Sequence, residues 1–176
     1  FVIRVPFKID LDADKREEQK DVSENSIKGL RILLAEDNEL NMEIAEFVLQ
    51  NEGAYVTKAW NGQEAVEIFE KSKPDEFDVI LMDVMMPVMN GYEATKMIRS
   101  LDRDDAKKIP IIAMTANAFT EDRIRAKEAG MDEHLSKPIV IDEVIKTIFR
   151  YVHFDKELPN TDGGRSVGGC SEMAGK

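Results

Sequence analysis

From residue 30 onward the chain alternates between two hydrophobic periods. Compact apolar runs appear at RILLAED (31–37), AYVTKAW (54–60), FDVILMD (77–83), IPIIAMT (109–115) and DEHLSK (132–137), and each reads as a strand. Between them the apolar positions fall at helical spacing: Leu40, Ile44, Phe47 and Val48, then Ala65, Val66, Ile68 and Phe69, then Ala94, Met97, Ile98 and Leu101. A fourth helix is read from Thr120 as cap through Ala129, and a fifth on Ile141, Ile145, Ile148, Phe149 and Val152. Gly53 and Gly130 stand where the first and fourth helices should stop, and Asn61 with Glu64 forms a capping-box-like start for the second. Pro74, Pro87 and Asn90-Gly91 punctuate the loops. The fifth strand is weak in β propensity, so its place in the alternation supports it more than its composition does.

Five βα units in succession predict an α/β fold with a parallel sheet and helices on both faces. FDVILMD is the most apolar run and is expected at the centre. Right-handed crossovers then favour a flavodoxin-like doubly wound sheet of order 2-1-3-4-5, with its switch point between strands one and three. Such sheets place their sites at the carboxyl ends of the strands. Here those ends carry Glu36 and Asp37, Asp83, Thr115 and Lys137.

Three carboxylates on one edge are a charge problem. Two of them about 5 Å apart repel by roughly 3 kcal/mol at an effective dielectric near 20. A cation must accompany them or a pKa must shift. Lys137 supplies one charge, and a hard divalent ion such as Mg²⁺, which takes carboxylate, water and phosphate oxygens, suits the remainder. Asp83 is then the candidate nucleophile toward phosphorus, giving an acyl phosphate. Lys137 offers a point charge to the phosphoryl oxygens, and Thr115 a hydroxyl. Pro138 directly follows Lys137 and is a candidate cis-proline that aims the lysine.

The flanks read differently. Residues 10–28 hold seven acidic and four basic residues with only four aliphatic ones, the pattern of a solvated linker. Residues 1–9, FVIRVPFKI, suit the end of a strand, with Pro6 arguing against a central position. The absence of an initiator Met suggests a fragment of a longer protein, and residues 154–176 read as a flexible Gly-rich tail. A net charge of −11 disfavours nucleic acid and anionic membranes as partners. Neither a transmembrane run nor a signal-peptide pattern is present. A single cysteine, Cys170, excludes an internal disulfide and fits a reducing cytoplasm.

With these residues in place, the span from about Leu30 to Val152 strongly resembles the receiver domain of two-component response regulators. ILLAEDNELN carries the acidic pair, VILMDVMMPVMNGYEATKMIR matches the family's acceptor segment, and IIAMTAN and HLSKPI supply the threonine and the lysine-proline. The resemblance implies that Asp83 is the phosphoacceptor. It implies Mg²⁺ bound by Asp37 directly, by Glu36 through water, by Asp83 and by the Met85 backbone carbonyl. Thr115 and His134 would fill the switch positions, with His134 a departure from the usual Tyr or Phe. Met85 also occupies the site two residues past the acceptor, where an apolar side chain orients no hydrolytic water, so slow self-dephosphorylation is expected.

FVIRVPF is similar to the last strand of a histidine-kinase ATP-binding domain. The implied organisation is a kinase remnant at 1–9, a linker at 10–28, a receiver at 29–153 and a tail. The resemblance implies the receiver end of a cytoplasmic hybrid sensor histidine kinase, whose parent could be membrane-anchored. The donor would be a kinase phosphohistidine, possibly in cis, and the partner a histidine phosphotransfer domain docking near Leu40, Met42 and Ile44 of the first helix. The stretch after the fifth helix is too short for a helix-turn-helix effector, which disfavours a transcription factor. Kinase catalytic machinery is missing from these residues, so the fragment itself should not use ATP.

Other readings fit less well. A stand-alone single-domain regulator is the nearest. A Mg²⁺-dependent phosphatase with an aspartyl nucleophile usually carries a second Asp two residues on, where this chain has Met85. A flavin carrier of the same topology needs hydroxyls and amides in its first loop, where EDNELN presents carboxylates. A receiver acting only as a scaffold would not need every chemical residue.

Overall fold

The computed structural model describes residues 26–116 and 120–154. Five strands alternate with five helices: β1 (Arg31–Ala35), α1 (Glu39–Asn51), β2 (Tyr55–Ala59), α2 (Gly62–Lys71), β3 (Val79–Asp83), α3 (Gly91–Ser100), β4 (Ile111–Thr115), α4 (Thr120–Ala129), β5 (Glu133–Ser136) and α5 (Ile141–Phe154). A 3₁₀ turn at Asp105–Lys107 precedes β4. The strands form one parallel sheet of order β2-β1-β3-β4-β5, as expected from the alternation. Glu36 and Asp37 lie just past the end of β1 and Lys137 just past the end of β5, whereas Asp83 and Thr115 are the last residues of β3 and β4.

Side chains of β1, β3 and β4 alternate between two cores. Leu33, Ala35, Ile80, Met82, Ile111 and Ala113 pack with Val66, Phe69, Ala94, Ile98 and Ala126, so α2, α3 and α4 cover that face. Ile32, Leu34, Val79, Leu81, Ile112 and Met114 pack with Met42, Ala45, Leu49, Val144, Ile148 and Val152, so α1 and α5 cover the other. β3 is buried along its whole length, as befits the central strand. Ile27, inside the stretch read as linker, is 1% exposed in the α1/α5 core, so packing begins ahead of β1. The proposed kinase remnant, residues 10–25 of the linker, the tail after residue 154 and Cys170 lie outside the described residues.

Helical spacing did not specify which faces of α1 and α3 turn inward. In α1 the buried residues are Met42, Ala45 and Leu49, whereas Leu40, Ile44 and Phe47 are 64%, 52% and 69% exposed. Both sets obey helical spacing, so α1 carries two apolar stripes and periodicity alone cannot say which one meets the sheet. In α3 the buried set is Gly91, Ala94, Thr95 and Ile98, and Met97 faces outward. Thr95 is tolerated inside because its hydroxyl donates to the Gly91 carbonyl at 2.8 Å. In α5, Val144 and Thr147 are buried as well as Ile148 and Val152, while Ile141, Ile145 and Phe149 are half-buried. α4 is described from Thr120; the residues just before it lie outside the described residues, and with them the cap geometry expected there.

Arg99 ties α3 to the rest of that face. Its guanidinium donates to the carbonyls of Gly130, Ala106 and Ile109 and to Asp132 Oδ2, at 2.8–3.0 Å. Asp132 Oδ2 also accepts from the Ile111 N–H, which anchors the start of β4. Replacing Arg99 by Met keeps the aliphatic stem but leaves these carbonyls without their donor. The expected loss is about 2 kcal/mol in urea unfolding.

Candidate active site

The ladder register brings the polar residues together. Ala35 pairs with Met82, so Glu36 is level with Asp83; Asp83 pairs with Met114, and Thr115 with Ser136. Thr115 and Lys137 are therefore each the next residue along, and the Lys137 N–H donates to the Thr115 carbonyl at 2.7 Å. Glu36, Asp83 and Lys137 also continue the parity of Leu34, Leu81 and Leu135, which face α1 and α5. The three side chains meet in consequence. Lys137 Nζ donates to Glu36 Oε2 at 2.5 Å and to Asp83 Oδ2 at 2.6 Å. Thr115 has the opposite parity and is buried at the end of β4.

Burial decides the electrostatics. Glu36 is 1% exposed and Asp83 5%. Desolvation pushes the Asp83 carboxyl above its ordinary pKa, and the Glu36 charge adds to this, while Lys137 and the Met85 N–H (3.1 Å from Asp83 Oδ1) oppose it. Burial alone would lower the Lys137 pKa, but the hydrogen bonds and charges of Asp83 and Glu36 outweigh it and hold the ammonium above its usual range. One ammonium thus serves two buried carboxylates, and the third, Asp37, stands exposed at the rim.

Glu36, Asp37 and Asp83 each present a carboxylate oxygen, all within 4.8 Å of one another. Hard oxygen donors at that spacing, short of positive charge, fit a hard divalent cation. Glu36, Asp37 and Asp83 are the side chains that would hold it.

The loop from Val84 to Asn90 closes tightly over the end of β3. The Gly91 N–H donates to the Val84 carbonyl at 3.0 Å, and a Cβ at Gly91 would sit 2.2 Å from the Asp83 carbonyl oxygen. Gly91 therefore lets α3 begin directly against the acceptor strand. Val88 stands at φ +68°, an unusual conformation for a β-branched residue, and is 84% exposed. Met85 also points outward, at 74% exposure.

Most of the expected site residues converge. Glu36, Asp37, Asp83 and Lys137 form the cluster, Thr115 borders it through the Lys137 backbone, and the Lys137–Pro138 bond is cis. His134 does not join them. It lies half-buried on β5, with Nδ1 3.1 Å from Glu133 Oε1, and Glu133 in turn pairs with Arg150 of α5. Sequence reasoning missed Asn41, whose Nδ2 donates to Glu36 Oε1 at 3.0 Å. The only available signal was its position at the third residue of α1, where a cap partner normally stands.

Comparison with known proteins agrees with this geometry. A family model described as the response regulator receiver domain matches residues 32–149. Hybrid signal transduction histidine kinase I of Dictyostelium discoideum is 36% identical over 138 residues, which are 75% of this chain and 8% of that protein. The chain therefore spans a small part of that kinase's length. The receiver domain of a Pseudomonas aeruginosa sensor histidine kinase, solved with a magnesium ion coordinated in its active-site cleft, is 39% identical with a TM-score of 0.64, over 70% of this chain and 98% of that one. A Saccharomyces cerevisiae co-crystal of a histidine phosphotransfer signaling protein with the receiver domain of its downstream response regulator matches with a TM-score of 0.66 and 29% identity, over 77% of this chain and 96% of that one. With the predicted topology, the converging carboxylates and these relatives in agreement, the chain belongs to the response regulator receiver domain family of two-component signalling.

Proposed function

We propose that this receiver accepts a phosphoryl group on Asp83 from the phosphohistidine of a phosphorelay, and that it forms the receiver end of a hybrid histidine kinase. The observation that carries the reading is the buried Asp83 carboxylate, held by Lys137 Nζ at 2.6 Å beside two further acids. In the step, an Asp83 carboxylate oxygen forms a bond to phosphorus while the phosphorus–nitrogen bond of the donor breaks. The electron pair returns to the imidazole, which takes up a proton. The product is an acyl phosphate on Asp83.

Asp37 would contact Mg²⁺ directly, Glu36 through water, and Asp83 and the Met85 carbonyl would complete the protein donors. The ion supplies positive charge to the phosphoryl oxygens as they pass between donor and acceptor. Lys137 keeps the Asp83 carboxylate oriented, and its ammonium has the reach to move one hydrogen bond from Asp83 to a phosphoryl oxygen. The Thr115 hydroxyl, at the end of the next strand, donates to the phosphate once Asp83 is modified, and His134 follows as the second switch residue. With Met85 turned outward and apolar, nothing at that position orients water, so the acyl phosphate should be long-lived.

The exposed stripe of Leu40, Ile44 and Phe47 on α1 supports docking of a histidine phosphotransfer domain, and Met42 is withdrawn from that surface by burial. The kinship with hybrid kinases supports a cytoplasmic site of action, and among the described residues no helix is long and apolar enough to cross a membrane. The test is to incubate the chain with Mg²⁺ and a small acyl-phosphate donor and measure intact mass. One added phosphate is expected, and no gain would contradict the proposal.

The same reading sets a pH dependence. Because burial raises the Asp83 pKa, the metal-free folded state takes up a proton more readily than the unfolded chain, and stability rises as pH falls through the folded value. A bound cation needs the ionised form, so its stabilising effect runs the other way. The rise in Tm caused by millimolar Mg²⁺ should therefore shrink as pH falls through the raised Asp83 value, as thermal melts with and without the ion over a pH series would show.

A further inference from the structure

We propose that Asn41 is a positioning residue for the site: its side-chain amide fixes the orientation of the Glu36 carboxylate. The inference rests on the reading of Glu36 as part of the metal and phosphate site. Its basis is a difference among three helix starts. α1, α2 and α3 each begin after an Asn cap, Asn38, Asn61 and Asn90, whose side-chain oxygen accepts the backbone N–H three residues on at 3.0, 2.9 and 2.9 Å. In α2 and α3 that third residue is an acid that reaches back to the backbone: Glu64 to the Trp60 N–H at 2.7 Å, and Glu93 to the Asn90 N–H at 3.4 Å.

In α1 the third residue is Asn41, and it does not reach back. Its Nδ2 donates to Glu36 Oε1 at 3.0 Å, and the Asn38 N–H approaches the same oxygen at 3.4 Å. A carboxylate only accepts, so the amide nitrogen must face it. Glu36 thereby takes the part that the helix's own third residue plays in α2 and α3. Both of its oxygens are committed, Oε1 toward the start of α1 and Oε2 to Lys137 at 2.5 Å.

The consequence is specific. The terminal torsion of a glutamate is soft, and a buried carboxylate beside two other acids has every electrostatic reason to turn away from them. A Glu at position 41, the choice made in the other two helices, would put a fourth carboxylate against the cluster. An amide supplies a donor without charge, so it orients Glu36 and adds no repulsion. Asn41 acts only through Glu36 and touches no reacting atom.

Calorimetric titration of Mg²⁺ into the full chain and the variants Asn41→Ala, Glu36→Ala and their combination tests this. Asn41→Ala should weaken Mg²⁺ about tenfold, the scale set by groups that orient metal ligands. In the Glu36→Ala background the same change should alter affinity by less than twofold, because the group it acts through is gone. Additive losses, or an Asn41→Ala affinity within twofold of the parent, would overturn the proposal. If Glu36→Ala alone leaves Mg²⁺ binding unchanged, the reading of the site fails, and this inference with it. A metal-free measurement does not depend on the fold of any Asn41 variant. In NMR spectra of the parent chain, the Asn41 side-chain amide protons should be shifted and slow to exchange with solvent, and should lose both properties in Glu36→Ala. Exchange like that of an exposed asparagine would contradict the proposal.

Discussion

Asp83→Asn should take no phosphate from an acyl-phosphate donor or from a phosphorylated histidine protein, a loss down to the assay background. The amide has no anionic oxygen to attack phosphorus, and neither neighbouring acid replaces it: Glu36 is 1% exposed with its Oε2 bonded to Lys137, and Asp37 lies at the rim. The loss of chemistry should come with a gain in stability. The pKa of Asp83 is raised chiefly by burial, so its ionised form is a burden on the metal-free fold at neutral pH. Removing that charge should stabilise the metal-free protein by on the order of 1 kcal/mol, since the carboxylate sits in a largely dry site. Urea unfolding of both proteins in chelator reads this out, and the opposite signs of the two effects separate a chemical role for Asp83 from a structural one.

Lys137→Met should be the most destabilising change at the site. The Met stem preserves the packing, but Glu36 and Asp83 lose the ammonium they share. Removing one partner of a buried charge cluster costs about 3–5 kcal/mol, because the remaining charges stay buried and uncompensated. The dependence on conditions is the diagnostic part. In the parent, the folded Lys137 pKa is raised, so its contribution is fully present below the lysine pKa of the unfolded chain and is lost as pH rises through the folded value. At pH 7 the whole contribution is at stake. In the variant the penalty should shrink as acid protonates the carboxylates and also when Mg²⁺ supplies the missing charge. A deficit indifferent to both would mean that Lys137 acts through packing alone.

The topology was legible because the periods of two and 3.6 alternate without interruption, and right-handed crossovers leave few ways to arrange five parallel strands. The site was legible for the same reason: in a parallel sheet, residues that close apolar runs must meet at one edge. The parity that sets Glu36, Asp83 and Lys137 on one side and Thr115 on the other was not legible, because it depends on the strand register. The inward face of α1 was not legible, for a different reason. Leu40, Ile44 and Phe47 are larger and more apolar than Ala45, yet the sheet receives Met42, Ala45 and Leu49. Two stripes of equal period carry no mark of which faces inward, and the outer one is left as surface. Asn41 was invisible for a third reason. Its partner Glu36 lies five residues back, on the other side of a strand-to-helix turn, where no periodic pattern connects them.

The most direct measurement of the central claim is chemical localisation of the phosphate. After phosphorylation with an acyl-phosphate donor and Mg²⁺, borohydride reduces an aspartyl phosphate to homoserine, and peptide sequencing by mass spectrometry locates that residue. The account predicts homoserine at position 83 and at no other acid. Homoserine at Asp37 or elsewhere, or phosphate that resists reduction because it sits on a hydroxyl or an imidazole, would contradict it.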